Sequence, residues 1–168
     1  ADSVIALVAL DAEVEVANRE GVRWIPITQF HRDVGECCIN PCIELVKGVR
    51  FRPLKENEGS SFQRLARRRA LILPILNVGV VVGWEEGRFN RAAIAIGPVA
   101  PVPFRARKAE EFLRGAPLSP ESIEEAARLA QEESQPRSSL LRGSAEYRKE
   151  MVRVLVRRAL MEATAMSS

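Results

Sequence analysis

Aromatic residues are scarce in this chain: six Phe, two Trp and one Tyr among 168 residues, or 5%. A surface that stacks nucleic-acid bases needs more rings than that. The formal net charge is only +3, with the basic residues interleaved among acids, so nothing demands a nucleic-acid partner. Histidine occurs once, at His31. A nucleophile–base pair would have to use it, and no Ser or Cys motif flanks it, so no catalytic constellation is expected. The three cysteines, Cys37, Cys38 and Cys42, are odd in number and crowded together. That is not a disulfide framework. Their spacing also matches no four-ligand zinc or iron–sulfur pattern, so no metal site is expected. No apolar run approaches the roughly 18 residues that span a bilayer. The longest, residues 71–83, reads as a buried strand pair. The acidic first residues do not form the basic segment of a secretory signal, and a reducing cytoplasm is the expected compartment. No G-x-G-x-x-G or P-loop sequence occurs anywhere.

What is present suits a globular protein. Apolar residues make up 46% of the chain, and its length allows one medium domain or two small ones. The chain opens at Ala1-Asp2-Ser3 inside what reads as a helix, with Asp2 or Ser3 as N-cap. The abrupt start leads us to expect further sequence upstream. Residues 12–16 alternate apolar and charged, turn at Asn18-Arg19-Glu20-Gly21, and return over residues 22–27 as a hairpin. Pro26 puts the second strand at an edge or ends it. Thr28 is expected to cap a short helix running to Arg32. Residues 44–51 read as a third strand, with Leu45, Lys47, Val49 and Phe51 on one face.

Residues 53–61 are polar and aperiodic, and read as a linker. Strands are expected at residues 62–67, 76–84 and 90–96, with a turn at Glu85-Glu86-Gly87-Arg88. They form an antiparallel three-stranded meander. Three helices follow. The first covers about residues 105–114, places Ala106, Ala109, Phe112 and Leu113 on one face, and stops at Gly115. The second has Ser119 as N-cap and Pro120 at its first position, with Ile123, Ala126, Ala127 and Ala130 facing inward. The third starts at Ser144 and carries Tyr147, Met151, Val154, Leu155 and Leu160 on one stripe. Met151, Leu155 and Leu160 are expected to be buried against the sheet. Strands first and helices after give an α+β class, with the helices on one sheet face.

Several stretches carry a resemblance. They are Asp2-Ser3 with Leu7-Val8-Ala9-Leu10-Asp11-Ala12-Glu13-Val14, Pro41-Cys42-Ile43-Glu44-Leu45, and Phe62-Gln63-Arg64-Leu65-Ala66-Arg67-Arg68 followed by Asn77-Val78-Gly79-Val80. The most specific are the Gly97-Pro98-Val99-Ala100-Pro101-Val102-Pro103 turn and Arg142-Gly143-Ser144-Ala145-Glu146-Tyr147-Arg148. Together they resemble the C-terminal part of the FAD-binding (medium) subunit of molybdenum hydroxylases, the carbon monoxide dehydrogenase and xanthine dehydrogenase family.

The resemblance implies a remnant of the FAD-binding domain over residues 1–53, a linker over 54–61, and the flavoprotein C-terminal domain over 62–168. It implies an oxidoreductase subunit that passes electrons through FAD to an acceptor. The electrons come from iron–sulfur clusters of a small subunit, which receive them from a molybdopterin large subunit. It also implies that Asp2, Leu45, Val46 and Arg64 are the retained flavin contacts. At Arg64 the family has Lys, which differs in geometry. Each residue keeps a plainer alternative: Asp2 as a helix cap, Leu45 and Val46 as packed strand residues, Arg64 as part of a basic cluster with Arg67, Arg68 and Arg69. The family's two Gly-rich pyrophosphate loops have no counterpart here, so FAD is expected to bind this chain weakly or not at all. The alternative function is a flavin-free docking module of such a complex.

Overall fold

A computed structural model describes residues 2–68 and 73–166. Helix α1 (Asp2–Ala9) buries Ile5, Val8 and Ala9, an i, i+3, i+4 stripe. Strands β1 (Glu13–Asn18) and β2 (Gly21–Pro26) form the expected hairpin. Asn18 Oδ1 closes its turn by accepting from the backbone N–H of Glu20 (2.8 Å) and Gly21 (3.0 Å). A one-turn helix, α2 (Ile27–Phe30), and a small ribbon, β3 (His31–Asp33) with β4 (Glu36–Cys37), come next. Thr28 lies inside α2, and Pro26 occupies the cap position with no side-chain bond. Strand β5 (Leu45–Arg50) pairs with the free edge of β1, giving the order β2-β1-β5.

The second sheet is antiparallel, in the order β6 (Glu58–Leu65), β7 (Leu76–Glu85), β8 (Arg88–Gly97) and β9 (Phe104–Arg105). The expected meander is its centre, and the two-residue β9 adds a fourth strand. Strand β6 starts at Glu58, earlier than Phe62, and ends at Leu65. Its first residues look like linker because they are polar. They pair with β7 along its length and meet polar groups of the last helix: Ser61 Oγ donates to Glu162 at 2.7 Å. Part of the 71–83 run, residues 71 and 72, lies outside the described residues, as does Arg69. From Leu76 onward the run is one strand rather than a pair.

Residues 78–83 of strand β7 read as an unbroken apolar run because both faces of the strand are buried there. Val78, Val80 and Val82, with Ile94 and Ile96 of β8, face the C-terminal helices. Val81, Ala93 and Ala95 face α1 on the other side. Residues toward α1 are small because the helix backbone comes close. A Cβ on Gly79 would sit 3.1 Å from the Ile5 carbonyl oxygen. The β7–β8 turn has positive φ at Glu86 (48°) and Gly87 (73°), the two-residue geometry that matches strand twist.

Helices α3 (Arg107–Leu113), α4 (Pro120–Glu133) and α5 (Ala145–Ala163) cover the first face. Ser119 caps α4, and Ile123, Ala126, Ala127 and Ala130 are fully buried, as expected. Helix α3 starts two residues later than expected, because Arg105 pairs with Ala95 as part of β9. Phe112 is exposed rather than packed. It lies about 100° round the helix from Leu113, and Glu110 points inward instead. On α5, Leu155 and Leu160 are buried and Met151 is half-buried, while Tyr147 is exposed. The true inward stripe is Arg148, Val152, Leu155, Val156, Ala159 and Ala163. It is rotated by about one residue from the expected one, because it begins on an arginine.

Candidate functional site

Three residues meet where α1 begins. Asp2 Oδ2 accepts from Arg64 Nε at 2.9 Å, and Asp2 Oδ1 accepts from Asn77 Nδ2 at 2.9 Å. Arg64, Asn77 and Gly97 are direct cross-strand partners on β6, β7 and β8, so they form one row across the sheet. Asp2 and Ser3 both lie within α1, so neither stands ahead of it as a cap. The Asp2 carboxylate oxygens are taken by the sheet instead.

Asn77 is 2% exposed, and its Oδ1 has no hydrogen-bond partner among the described residues. A buried unpaired amide oxygen costs about 1–3 kcal/mol. Rotating the amide does not help, since a carboxylate only accepts and must face the NH2 group. Asn77 and Gly97 form part of the wall of a cleft of about 300 Å³, together with His31, Asp33, Pro98 and Arg142. Burial lowers the His31 pKa, favouring the neutral imidazole.

Arg148 ties the two most distinctive sequence stretches together. It is 3% exposed and donates to the carbonyl oxygens of Pro98 and Arg137. Burial, and then the charge of Arg142, lowers its pKa. The Pro-rich turn forming one wall of the cleft is thus fastened to the start of α5.

An ion-pair chain fixes the opposite end of α1. Arg52 and Arg91 hold Glu58, Arg91 and Arg105 hold Asp11, and Arg105 also pairs with Glu110. Burial works to raise the Asp11 pKa, but the bonds from Arg105 and Arg91 outweigh it and leave the pKa lowered. The Arg52 hydrogen bond is the largest cause that takes Glu58 down from 4.5 to about 2. Its folded pKa lies below the unfolded one. Its contribution to stability is therefore full above pH 4.5 and is lost as pH falls toward 2. Urea midpoints of the parent chain and Glu58→Gln should differ clearly near neutrality and converge across that window. A gap of constant size would show that Glu58 is not the titrating partner.

Leu45 and Val46 sit elsewhere, on the exposed strand β5 (59% and 45% exposed). Leu45 opens onto a different cleft, shared with residues 17–20 and 41–44. Asp2 and Arg64 are thus brought together, and Leu45 and Val46 do not join them. Trp24 is an edge residue with the Arg50 guanidinium 3.9 Å from its ring centroid. Trp84 packs against the helical core. Cys37 and Cys38 are half-buried and Cys42 is exposed. Among the described residues, no three His, Cys, Asp or Glu side chains are grouped to hold a metal. No described helix is long and apolar enough to cross a membrane. Asn77 was not singled out as a site residue from sequence. Its signals were a polar residue at the head of a valine-rich strand and a place in the family-like stretch Asn77-Val78-Gly79-Val80.

The fold is of the α+β class, with antiparallel sheets and helices packed against them. Residues 61–163 match the CO dehydrogenase flavoprotein C-terminal domain, and residues 1–53 match the FAD binding domain in molybdopterin dehydrogenase. The chain belongs to this family, the FAD-binding medium subunits of molybdenum hydroxylases. It is 30% identical over 166 residues to the xanthine dehydrogenase FAD-binding subunit of Escherichia coli O157:H7, covering 98% of this chain and 56% of that one. It is 33% identical over 161 residues to the nicotine 6-hydroxylase medium subunit of Paenarthrobacter nicotinovorans, covering 96% and 55%. Among solved structures it is similar to carbon monoxide dehydrogenase from Hydrogenophaga pseudoflava. There the TM-score is 0.91 at 26% identity, with coverage of 99% and 57%. The chain therefore spans a little over half the length of each of these three relatives.

Proposed function

We propose that this chain is the C-terminal part of the FAD-binding electron-transfer subunit of a molybdopterin-dependent hydroxylase. Electrons would come from iron–sulfur clusters of a small partner subunit, fed by a molybdopterin large subunit, and leave through FAD to an acceptor. The observation that carries this reading is the Asp2–Arg64–Asn77 cluster. It joins a residue of the FAD-binding segment to two residues of the C-terminal domain, and one of these, Asn77, lines a cleft. The residues present suit the ring end of a flavin: a carboxylate, a guanidinium and a buried amide oxygen without a partner. Asp2, Asn77 and Arg64 would hold that end, and Leu45 and Val46 are retained as proposed contacts from the resemblance. Bound FAD would supply the electron-carrying chemistry. The pyrophosphate has no Gly-rich cradle in this sequence.

The chain should therefore emerge from gel filtration with FAD colourless, while FAD at high concentration quenches weakly. Stoichiometric FAD retained through the column would contradict this division of labour.

A second reading is supported by one observation. Val22, Ile43, Leu45, Val49 and Phe51 are all exposed in the first sheet and its flank. A docking module that carries no flavin would use such a surface. It would bind the partner subunits equally well whether or not FAD is supplied.

A further inference from the structure

The geometry points to Asn77 as a positioning residue of the flavin site: its amide, at the wall of the cleft, fixes the orientation of the Asp2 carboxylate. This rests on the flavin reading above. Asp2 stands on the first turn of a helix, with its side chain 39% exposed, where a carboxylate would ordinarily sample several rotamers. Two donors, one on each oxygen and both at 2.9 Å, fix it. Of the two, Arg64 is long and partly exposed, whereas Asn77 is short, buried and anchored in the central strand. Asn77 thus sets the orientation rigidly. Arg64 is its neighbour in the cross-strand row.

Two further observations argue against a packing role alone. A residue selected only to fill this place would be apolar, as every other buried residue of β7 is, yet here a polar one leaves its Oδ1 unpaired. Asn77 also lines the cleft itself, beside Gly97, whose missing side chain lets Asn77 and Ile5 pack close. A Cβ there would lie 2.9 Å from Asn77 Oδ1 and 2.7 Å from Ile5 Cδ1. A carboxylate held this way, with one donor on each oxygen, can accept further from a ring N–H or a ribityl hydroxyl.

The test uses the 168-residue chain and FMN, which carries the ring without the adenylate, with ribose 5-phosphate as the control for phosphate binding alone. FMN should bind weakly, and ribose 5-phosphate should not compete. Asp2→Ala and Asn77→Asp should each weaken FMN at least tenfold at about pH 8. Asn77→Asp preserves shape but replaces the N–H donor with a carboxylate oxygen facing Asp2. As pH falls toward about 5, the two carboxyl groups share a proton, a donor reappears, and affinity should recover. The unsubstituted chain should stay flat over that range. In that chain the Asn77 side-chain amide signals should also shift on FMN addition.

Asn77→Asp binding like the parent while Asp2→Ala loses FMN would overturn the proposal and leave the flavin reading standing. Unmoved Asn77 amide signals at saturating FMN would do the same, whichever variants fold. No FMN binding by the parent chain, or Asp2→Ala binding normally, would instead overturn the flavin reading and the proposal with it.

Discussion

Arg105→Leu should destabilise the fold by about 3–5 kcal/mol, because it strands a buried carboxylate. The Arg105 and Glu110 side chains are only 7% and 4% exposed. Glu110 Oε1 also accepts from the Ile94 backbone N–H at 2.8 Å, so the carboxylate cannot swing out to water without breaking the sheet–helix contact. Arg107 reaches its other oxygen at 3.1 Å but is itself 65% exposed and screened. Arg105 further donates to the Val8 carbonyl oxygen (3.1 Å) and to Asp11 (2.7 Å). Its loss therefore also loosens α1. At roughly 2–4 °C per kcal/mol for a chain of this size, the melting midpoint should fall by about 6–20 °C. Adding Glu110→Gln should restore part of the loss, since the uncompensated charge is the main penalty. If the double variant is no more stable than Arg105→Leu, buried charge is not the cause.

Gly59→Ala should cost about 3 kcal/mol or more, at or above the upper end for overpacking. A Cβ there would lie 1.8 Å from the Ala163 carbonyl oxygen and 2.9 Å from its carbon. Both sides of this contact are backbone, so no rotamer change relieves it. Strand β6 and the end of α5 would have to separate, taking with them the bonds from Ser61 and Gln63 to Glu162. Gly48→Ala is the control. Among the described residues its one close neighbour is Glu15 Oε2 at 3.3 Å, the far end of a side chain with rotamers to spare. Reduced freedom of the unfolded chain then favours the variant by up to about 0.4–1 kcal/mol. Thermal unfolding of both variants reads the contrast. Equal midpoints would show that β6 and α5 do not meet as described.

Local chemistry made much of this legible. Ser119-Pro120 marked α4, Glu86-Gly87 marked the hairpin, and the alternation at 13–16 marked β1. What was missed came from tertiary partners. Residues 58–61 read as linker until their polar side chains are paired with α5. The inward stripe of α5 was misplaced because it starts at Arg148, and a buried arginine makes sense only once the carbonyl oxygens of Pro98 and Arg137 are seen around it. The family resemblance pointed to Asp2 and Arg64, but their meeting depends on the close approach of α1 to the sheet. Asn77 lay in a family-like stretch, Asn77-Val78-Gly79-Val80, that gave it no role. Its role emerges from two observations no sequence displays: a neighbouring carboxylate on another element, and an oxygen left without a partner.

The most direct measurement is the flavin, iron and molybdenum content of the assembly captured by a tag on this chain, expressed from its own locus. FAD, iron and molybdenum in fixed ratio are expected. Iron and molybdenum without flavin would instead identify a docking module, and a chain that purifies with none of the three would contradict the electron-transfer assignment.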